Sequence, residues 1–170
     1  MDFDPQPTLW GELLELRPLG SPDFDALYAV ASDPLIWEQH PNNDRWKPEV
    51  FREFFRVAMK SGGALVAVDR RLGRVIGSSR YHGFTNGDRE VEVGWTFLAR
   101  AYWGGRYNAE MKRLMLEHAL RSFRSVVLVI GSNNLRSQRA AEKIGGVRIE
   151  NRPGPDGSER VVYRLTAAPK

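Results

Sequence analysis

The chain contains no cysteine. That absence rules out disulfides, thiolate zinc sites and a cysteine acyl-enzyme together. No stretch approaches the roughly 18 apolar residues that a membrane-spanning helix requires. The opening residues, MDFDPQPTLW, are acidic and broken by proline, unlike a secretory leader. A soluble cytoplasmic protein with no membrane partner is therefore expected. Histidine is scarce: His40, His82 and His118 have no metal-ligand spacing and no cluster of aspartates beside them, so no metal is expected. No Gly-Lys-Ser/Thr phosphate loop and no Gly-x-Gly-x-x-Gly dinucleotide turn is present.

What is present suffices for one core. A length of 170 residues at 42% hydrophobic composition is too short for two ordinary domains. A single domain over residues 1–170 is expected, with residues 1–10 as a flexible N-terminal segment. The net charge is +4 and the pI near 9.6, which favours an anionic ligand of some kind. Acids are scattered among the Lys and Arg residues, and no basic arm or arginine-rich tail appears, so a nucleic-acid partner is the lesser reading.

Periodicity gives the element order. Residues 13–19 (LLELRPL) read as a strand, and Ser21-Pro22-Asp23 as a helix start. Two prolines and two asparagines then break a loop that carries Trp37, His40, Arg45 and Trp46. A second helix starts near Pro48 and exposes Phe51, Phe54, Phe55 and Ala58 on one face until Gly62. From Ala64 the period is two, giving two strands joined at residues 70–73 and a third with Val91, Val93, Trp95 and Phe97 on one face. A helix follows, with Met111, Leu114, Met115 and His118 as its inward stripe. SVVLVIG is a short, almost wholly apolar strand of the kind found inside a sheet. A glycine-ended helix and two strands around a Pro/Gly-rich loop complete the chain. The order β-α-α-β-β-β-α-β-α-β-β predicts an α/β (mixed α+β) fold: a sheet of about seven strands with helices on both faces.

Three pieces carry chemistry. The turn Gly104-Gly105-Arg106-Tyr107-Asn108 opens a helix, whose unpaired N–H groups and dipole attract anions. Arg100 or Arg106 could add a charge-assisted contact, although a compact glycine corner would explain the same residues. Glu90 and Glu92 lie two apart on the strand before it, on one face with Gly94 and Thr96. Either carboxylate could be solvated or act as a general base, and Glu92 is nearer the turn. Asn133, Asn134 and Ser137 stand at the next strand end and the first turn of its helix. One of them serves as a cap, while the Ser137 hydroxyl could donate to a leaving group where the two strands splay apart.

These pieces, EVGW on a strand, YWGGRYNAE opening a helix and NNLRSQRAAEKIGG closing a strand and starting another helix, resemble the GNAT superfamily of acetyl-CoA-dependent N-acetyltransferases. The similarity spans residues 13–165 and is nearest to the branch containing ribosomal-protein-alanine N-acetyltransferases. It implies a mostly antiparallel mixed sheet, splayed at its centre. It implies that Gly104, Gly105, Arg106, Tyr107 and Asn108, with Arg100, hold the coenzyme A pyrophosphate. Residues 93–98, including Phe97 and Leu98, would flank the pantetheine arm, with Asn134 in contact and Ser137 returning a proton to the thiolate. Glu92 would deprotonate the amine for direct attack in a ternary complex. Trp37, His40, Arg45, Tyr81 and Trp95 would line the acceptor pocket. The acceptor would be a protein N-terminus or a small-molecule amine, and the enzyme a monomer or a homodimer. Three features depart from the family pattern, one being Gly145-Gly146 in place of the closing Gly-Phe of many members. Ala101-Tyr102-Trp103-Gly104-Gly105-Arg106 replaces Gln/Arg-x-x-Gly-x-Gly/Ala, and Ala141 stands near the place of the tyrosine that many members use as general acid. A non-catalytic acyl-CoA sensor and a basic nucleic-acid module are the competing classes.

Overall fold

The computed structural model describes residues 3–84 and 89–167. Eight strands form one sheet in the order β1-β2-β3-β4-β5-β6-β8-β7. In chain order these are β1 (Leu9–Trp10), β2 (Leu14–Pro18), β3 (Ala64–Asp69), β4 (Arg74–His82), β5 (Glu90–Leu98), β6 (Ser125–Gly131), β7 (Val147–Pro153) and β8 (Glu159–Thr166). The helices are α1 (Phe24–Ala31), α2 (Pro48–Ser61), α3 (Arg106–Ala119) and α4 (Leu135–Lys143). All neighbouring strands are antiparallel except β5 and β6. The strand beyond the seven expected is β1, which pairs with β2 at Leu9↔Leu16 and Trp10↔Glu15. The N-terminal segment expected to be flexible also packs: the Phe3 ring lies 5.2 Å from that of Tyr81 and 4.9 Å from that of Phe123.

The two faces of the sheet carry separate cores. On one, α1 and α2 bury Leu27, Ala31, Phe51, Phe54, Phe55 and Ala58 against Val66 and Phe97. α2 forms because Pro48 opens it without losing a needed N–H, its phenylalanines recur at helical spacing, and Gly62 ends it at φ 66°. On the other face, α3 contributes Met111, Leu114 and Met115 and α4 contributes Ala141, packed on Leu65, Val91, Val93 and Leu128. Each large apolar side chain sealed in this way adds about 1.5–3 kcal/mol.

Two irregularities shape the centre. β5 and β6 pair only at Glu90↔Ser125, Val91↔Val126 and Glu92↔Val127. Beyond Glu92 the strands diverge, because β6 continues along β8 as far as Gly131↔Arg160 while β5 follows β4 to Gly77↔Leu98. The second irregularity is a bulge in β5. The register steps from Arg80↔Gly94 to Ser78↔Phe97, and Trp95 adopts φ 51°. The extra residue reverses the side-chain alternation along the strand. Val91 and Val93 face α3 as expected, but Trp95 and Phe97 lie on the opposite face, towards α1 and α2. Thr96 in turn points to α3, where Lys112 Nζ donates to its hydroxyl. The single row expected for Glu90, Glu92, Gly94 and Thr96 is thus broken at the bulge.

Candidate active site

The divergence of β5 from β6 opens a cavity of about 500 Å³. One wall is β5 from Glu92 to Leu98, and the facing wall is residues 128–131 of β6 with the first turns of α4. Trp103, Gly104, Asn108 and Lys112 close one end, and Trp37, His40, Arg45 and the β7–β8 hairpin close the other. A shallower depression of about 580 Å³ shares His82 and Glu92 with this cavity, so the Glu92 carboxylate stands where the two meet.

The glycine end is built for an anion. Gly104 adopts φ 68°, which a residue with a Cβ tolerates poorly, and Gly105 is the N-cap of α3. No side chain caps this helix, so its first N–H groups remain to be satisfied from outside. A Cβ at Gly104 would meet nothing within 4 Å, and one at Gly105 only the Trp103 carbonyl at 3.9 Å, which leaves room for a bulky oxyanion. The Arg136 guanidinium sits 3.7 Å from the Trp103 ring centroid beside this turn. On the facing wall Asn134 is the cap expected there: its Oδ1 accepts the Ser137 N–H at 3.3 Å. The Ser137 side chain lines the cavity. An elongated ligand with a pyrophosphate at one end fits this outline: the uncapped amides meet its charge, and the unpaired edges of β5 and β6 flank its length.

The electrostatics differ along the cavity. Burial raises the Glu92 carboxyl above the ordinary carboxylate range, and His82, Arg152 and Arg80 only partly offset this. Lys112 is buried, has no carboxylate in ion-pair contact among the described residues, and is brought down to about 7 by desolvation. His40 is held at about 3 by burial and by the charges of Arg45 and Arg160, so its ring is neutral. Arg45 and Arg80 are 9% and 4% exposed, and desolvation brings each to about 10. The Arg45 guanidinium lies 4.7 Å from the Phe54 centroid and 5.6 Å from that of Trp37. That of Arg80 lies 4.3 Å from the Trp95 centroid.

Of the residues singled out from the sequence, the cavity gathers Glu92, Trp95, Phe97, Leu98, Gly104, Asn108, Asn134, Ser137, Trp37, His40 and Arg45. Others lie elsewhere. Tyr81 is fully buried in the α3-side core and donates to the Met115 carbonyl at 2.8 Å, because strand alternation turns it away from Arg80 and His82. Glu90 is occupied by the Ser125 hydroxyl at 2.7 Å and Arg164 at 2.8 Å, outside this cavity. Arg100 pairs with Asp33, and Arg106 pairs with Glu12 at 3.0 Å on the surface. Tyr107 packs edge-on against Tyr102, with centroids 4.7 Å apart, and neither it nor Gly105 lines the cavity. The Trp46 carbonyl accepts the Tyr28 hydroxyl, and its ring is partly exposed. Lys112, Arg136, Arg152 and Arg160 line the cavity without having been singled out. Only Lys112 left a trace in the sequence, one helical turn after Asn108 and beside the Met111–Met115 stripe.

Among the described residues no cluster of His, Asp and Glu could hold a metal ion, and no helix is long and apolar enough to cross a membrane. No curated protein sequence matches the chain. Solved structures do. A GNAT-family acetyltransferase from Bacillus anthracis superposes with a TM-score of 0.78 at 18% identity, covering 94% of this chain and 98% of that one. A GCN5-related N-acetyltransferase from Brucella melitensis gives 0.78 at 17% identity, covering 95% and 79%. The ribosomal-protein-S5-alanine acetyltransferase from Vibrio fischeri gives 0.71 at 14% identity, covering 95% and 97%. These likenesses establish the fold. The family profile described as "Acetyltransferase (GNAT) domain" matches residues 14–147, well over half of the chain. With its sheet opened between β5 and β6 and an uncapped glycine turn at the mouth of the opening, the chain belongs to the GNAT acetyltransferase family.

Proposed function

We propose that the protein transfers the acetyl group of acetyl-CoA to a primary amine by direct attack in a ternary complex. The observation that carries this reading is the cavity itself: an uncapped helix N-terminus at one end and a buried carboxylate, Glu92, at the other. The backbone amides of Gly104, just before α3, and Asn108, in its first turn, bind the pyrophosphate, with Arg136 beside them. The pantetheine arm lies between β5 and β6, where the strands leave each other's backbone groups unpaired. Acetyl-CoA supplies the activated acyl group, and this chain's residues orient it and move protons.

Glu92 accepts a proton from the incoming ammonium, directly or through one water. Its raised affinity for protons suits that task better than an exposed carboxylate would. The free amine then attacks the thioester carbonyl. Beyond Glu92 β5 no longer pairs with β6 and carries the Trp95 bulge, so a backbone amide between Trp95 and Phe97 is the proposed donor to the developing negative oxygen. As the carbon–sulfur bond breaks, Ser137 returns a proton to the sulfur, with the Lys112 amine as a second donor on the same cavity.

A thermal-shift comparison of acetyl-CoA with ATP and NAD tests the binding half. Acetyl-CoA at about 100 times its Kd stabilises by roughly 2.7 kcal/mol, and the other two do not. Glu92→Gln tests the chemistry: kcat falls about a hundredfold or more while the acetyl-CoA shift is retained. No shift with acetyl-CoA, or unchanged turnover in the variant, overturns the corresponding half. A sensor that only binds would show the shift with no acetylation of any amine.

A further inference from the structure

The acceptor end of the cavity holds a second set of groups that the transfer chemistry does not use. Arg45 is 9% exposed, yet no carboxylate among the described residues lies in ion-pair contact with it; Asp44 is near but beyond that distance. Arg80, its charged neighbour, is likewise in no ion pair among the described residues, although the Glu92 charge acts on it from beyond that distance. A buried cation without a counter-ion is costly unless something supplies one. None of the Arg45 nitrogens is sealed away without a partner, so the N–H groups it does not use inside the protein open into the cavity.

The contact between Arg45 and His40 points the same way. His40 Nδ1 accepts the Asn42 backbone N–H at 3.0 Å. The neutral ring therefore carries its proton on Nε2, and Nε2 faces Arg45 Nη1 at 3.3 Å. Two donors thus converge with no acceptor between them. Phe54 and Trp37 fix the plane of the guanidinium, which presents a rigid fork of the shape that carboxylates and phosphates fit. Glu92 is the one carboxylate among the described residues that lines this cavity, and the proposed chemistry needs it for the amine.

We propose that the acceptor is an amine that also carries an anionic group, carboxylate or phosphate, which Arg45 and His40 bind while its amino group reaches Glu92. This rests on the acetyl-transfer reading and narrows it. Amines that are cationic throughout, such as polyamines, are repelled by the same arginines.

The test uses matched acceptors with the full-length protein, following thiol release from acetyl-CoA: phenylalanine against phenylethylamine for a carboxylate, and phosphoethanolamine against ethanolamine for a phosphate. At least one anionic member is expected to exceed its partner about tenfold or more in kcat/KM. Binding of the same amines to the coenzyme A complex, read by calorimetry, is expected to follow that order. Arg45→Gln should raise KM for the anionic acceptor by about tenfold or more, leave the acetyl-CoA thermal shift intact, and narrow the gap within the pair. Should the variant fold poorly, the matched pairs on the wild type decide alone. Equal turnover and equal binding within both pairs, or no binding of either anionic amine, overturns the proposal. Failure of acetyl-CoA itself to bind is a separate result, which overturns the function reading instead.

Discussion

Replacing Lys112 by methionine should stabilise the protein, by an amount that depends on pH. The ammonium is buried with no carboxylate partner among the described residues, and burial brings its pKa to about 7 from an ordinary 10.5. Each tenfold loss of proton affinity corresponds to about 1.4 kcal/mol, so holding the charged form inside costs up to about 5 kcal/mol. Below about pH 7 both the folded and unfolded chains carry the proton, and the folded state bears that cost in full. Between about pH 7 and 10.5 only the unfolded chain keeps it, so wild-type stability climbs with pH. Above that window the cost is gone. Methionine fills similar volume with no charge, and Thr96 Oγ1 retains its bond to Ser79 Oγ at 2.8 Å. The variant should therefore melt about 10 °C above wild type near pH 6, at 2–4 °C per kcal/mol for a chain of this size. The gap should narrow steadily towards about pH 10. Thermal melts of ligand-free protein at half-unit pH steps measure it. Equal melting temperatures near the acid end, or a gap that stays constant across the range, would refute the reasoning.

Two further outcomes follow from other contacts. The Glu92 carboxyl is raised by burial, so the acid limb of kcat/KM should lie above the range of an exposed glutamate. Activity should be lost as pH falls through that limb, and Glu92→Gln should abolish the limb along with the activity. Glu110 on α3 accepts the backbone N–H groups of Glu12, Leu13 and Leu14 at 2.9, 2.8 and 3.0 Å. Glu110→Ala leaves these amides without their acceptor and should cost about 3 kcal/mol in urea unfolding, with exchange protection lost first at the start of β2.

The chain order of helices and strands was legible because each element follows one period: phenylalanines every third or fourth residue in α2, an unbroken apolar run in β6. The splay was legible only through resemblance, since nothing in β5 or β6 alone says where pairing stops. Trp95 misled the face assignment. A reading at period two assumes an unbroken ladder, and the bulge sits on tryptophan, not on the glycine that would have signalled a positive φ. Tyr81 was expected at the acceptor pocket with the other aromatic candidates, but the alternation of β4 sends it into the core. Arg45 was found as part of a loop rich in candidates. Arg80 and Arg160 were missed because a charge in a strand reads as a solvated face, and burial of such a residue depends on what the fold brings over it.

The bulge in β5 has a consequence for how such a protein can change. Before it, even-numbered side chains lie on the face of α1 and α2; after it, they lie on that of α3. Trp95 and Thr96 therefore line the cavity from adjacent positions on opposite faces of the strand, back to back. Under the proposed function, a substitution at Trp95 would alter what the amine meets while Thr96, on the far side of the same strand, kept its neighbours. The acceptor site could then diversify independently of the coenzyme site, provided the extra residue remained. Deleting it would exchange the two surfaces at once.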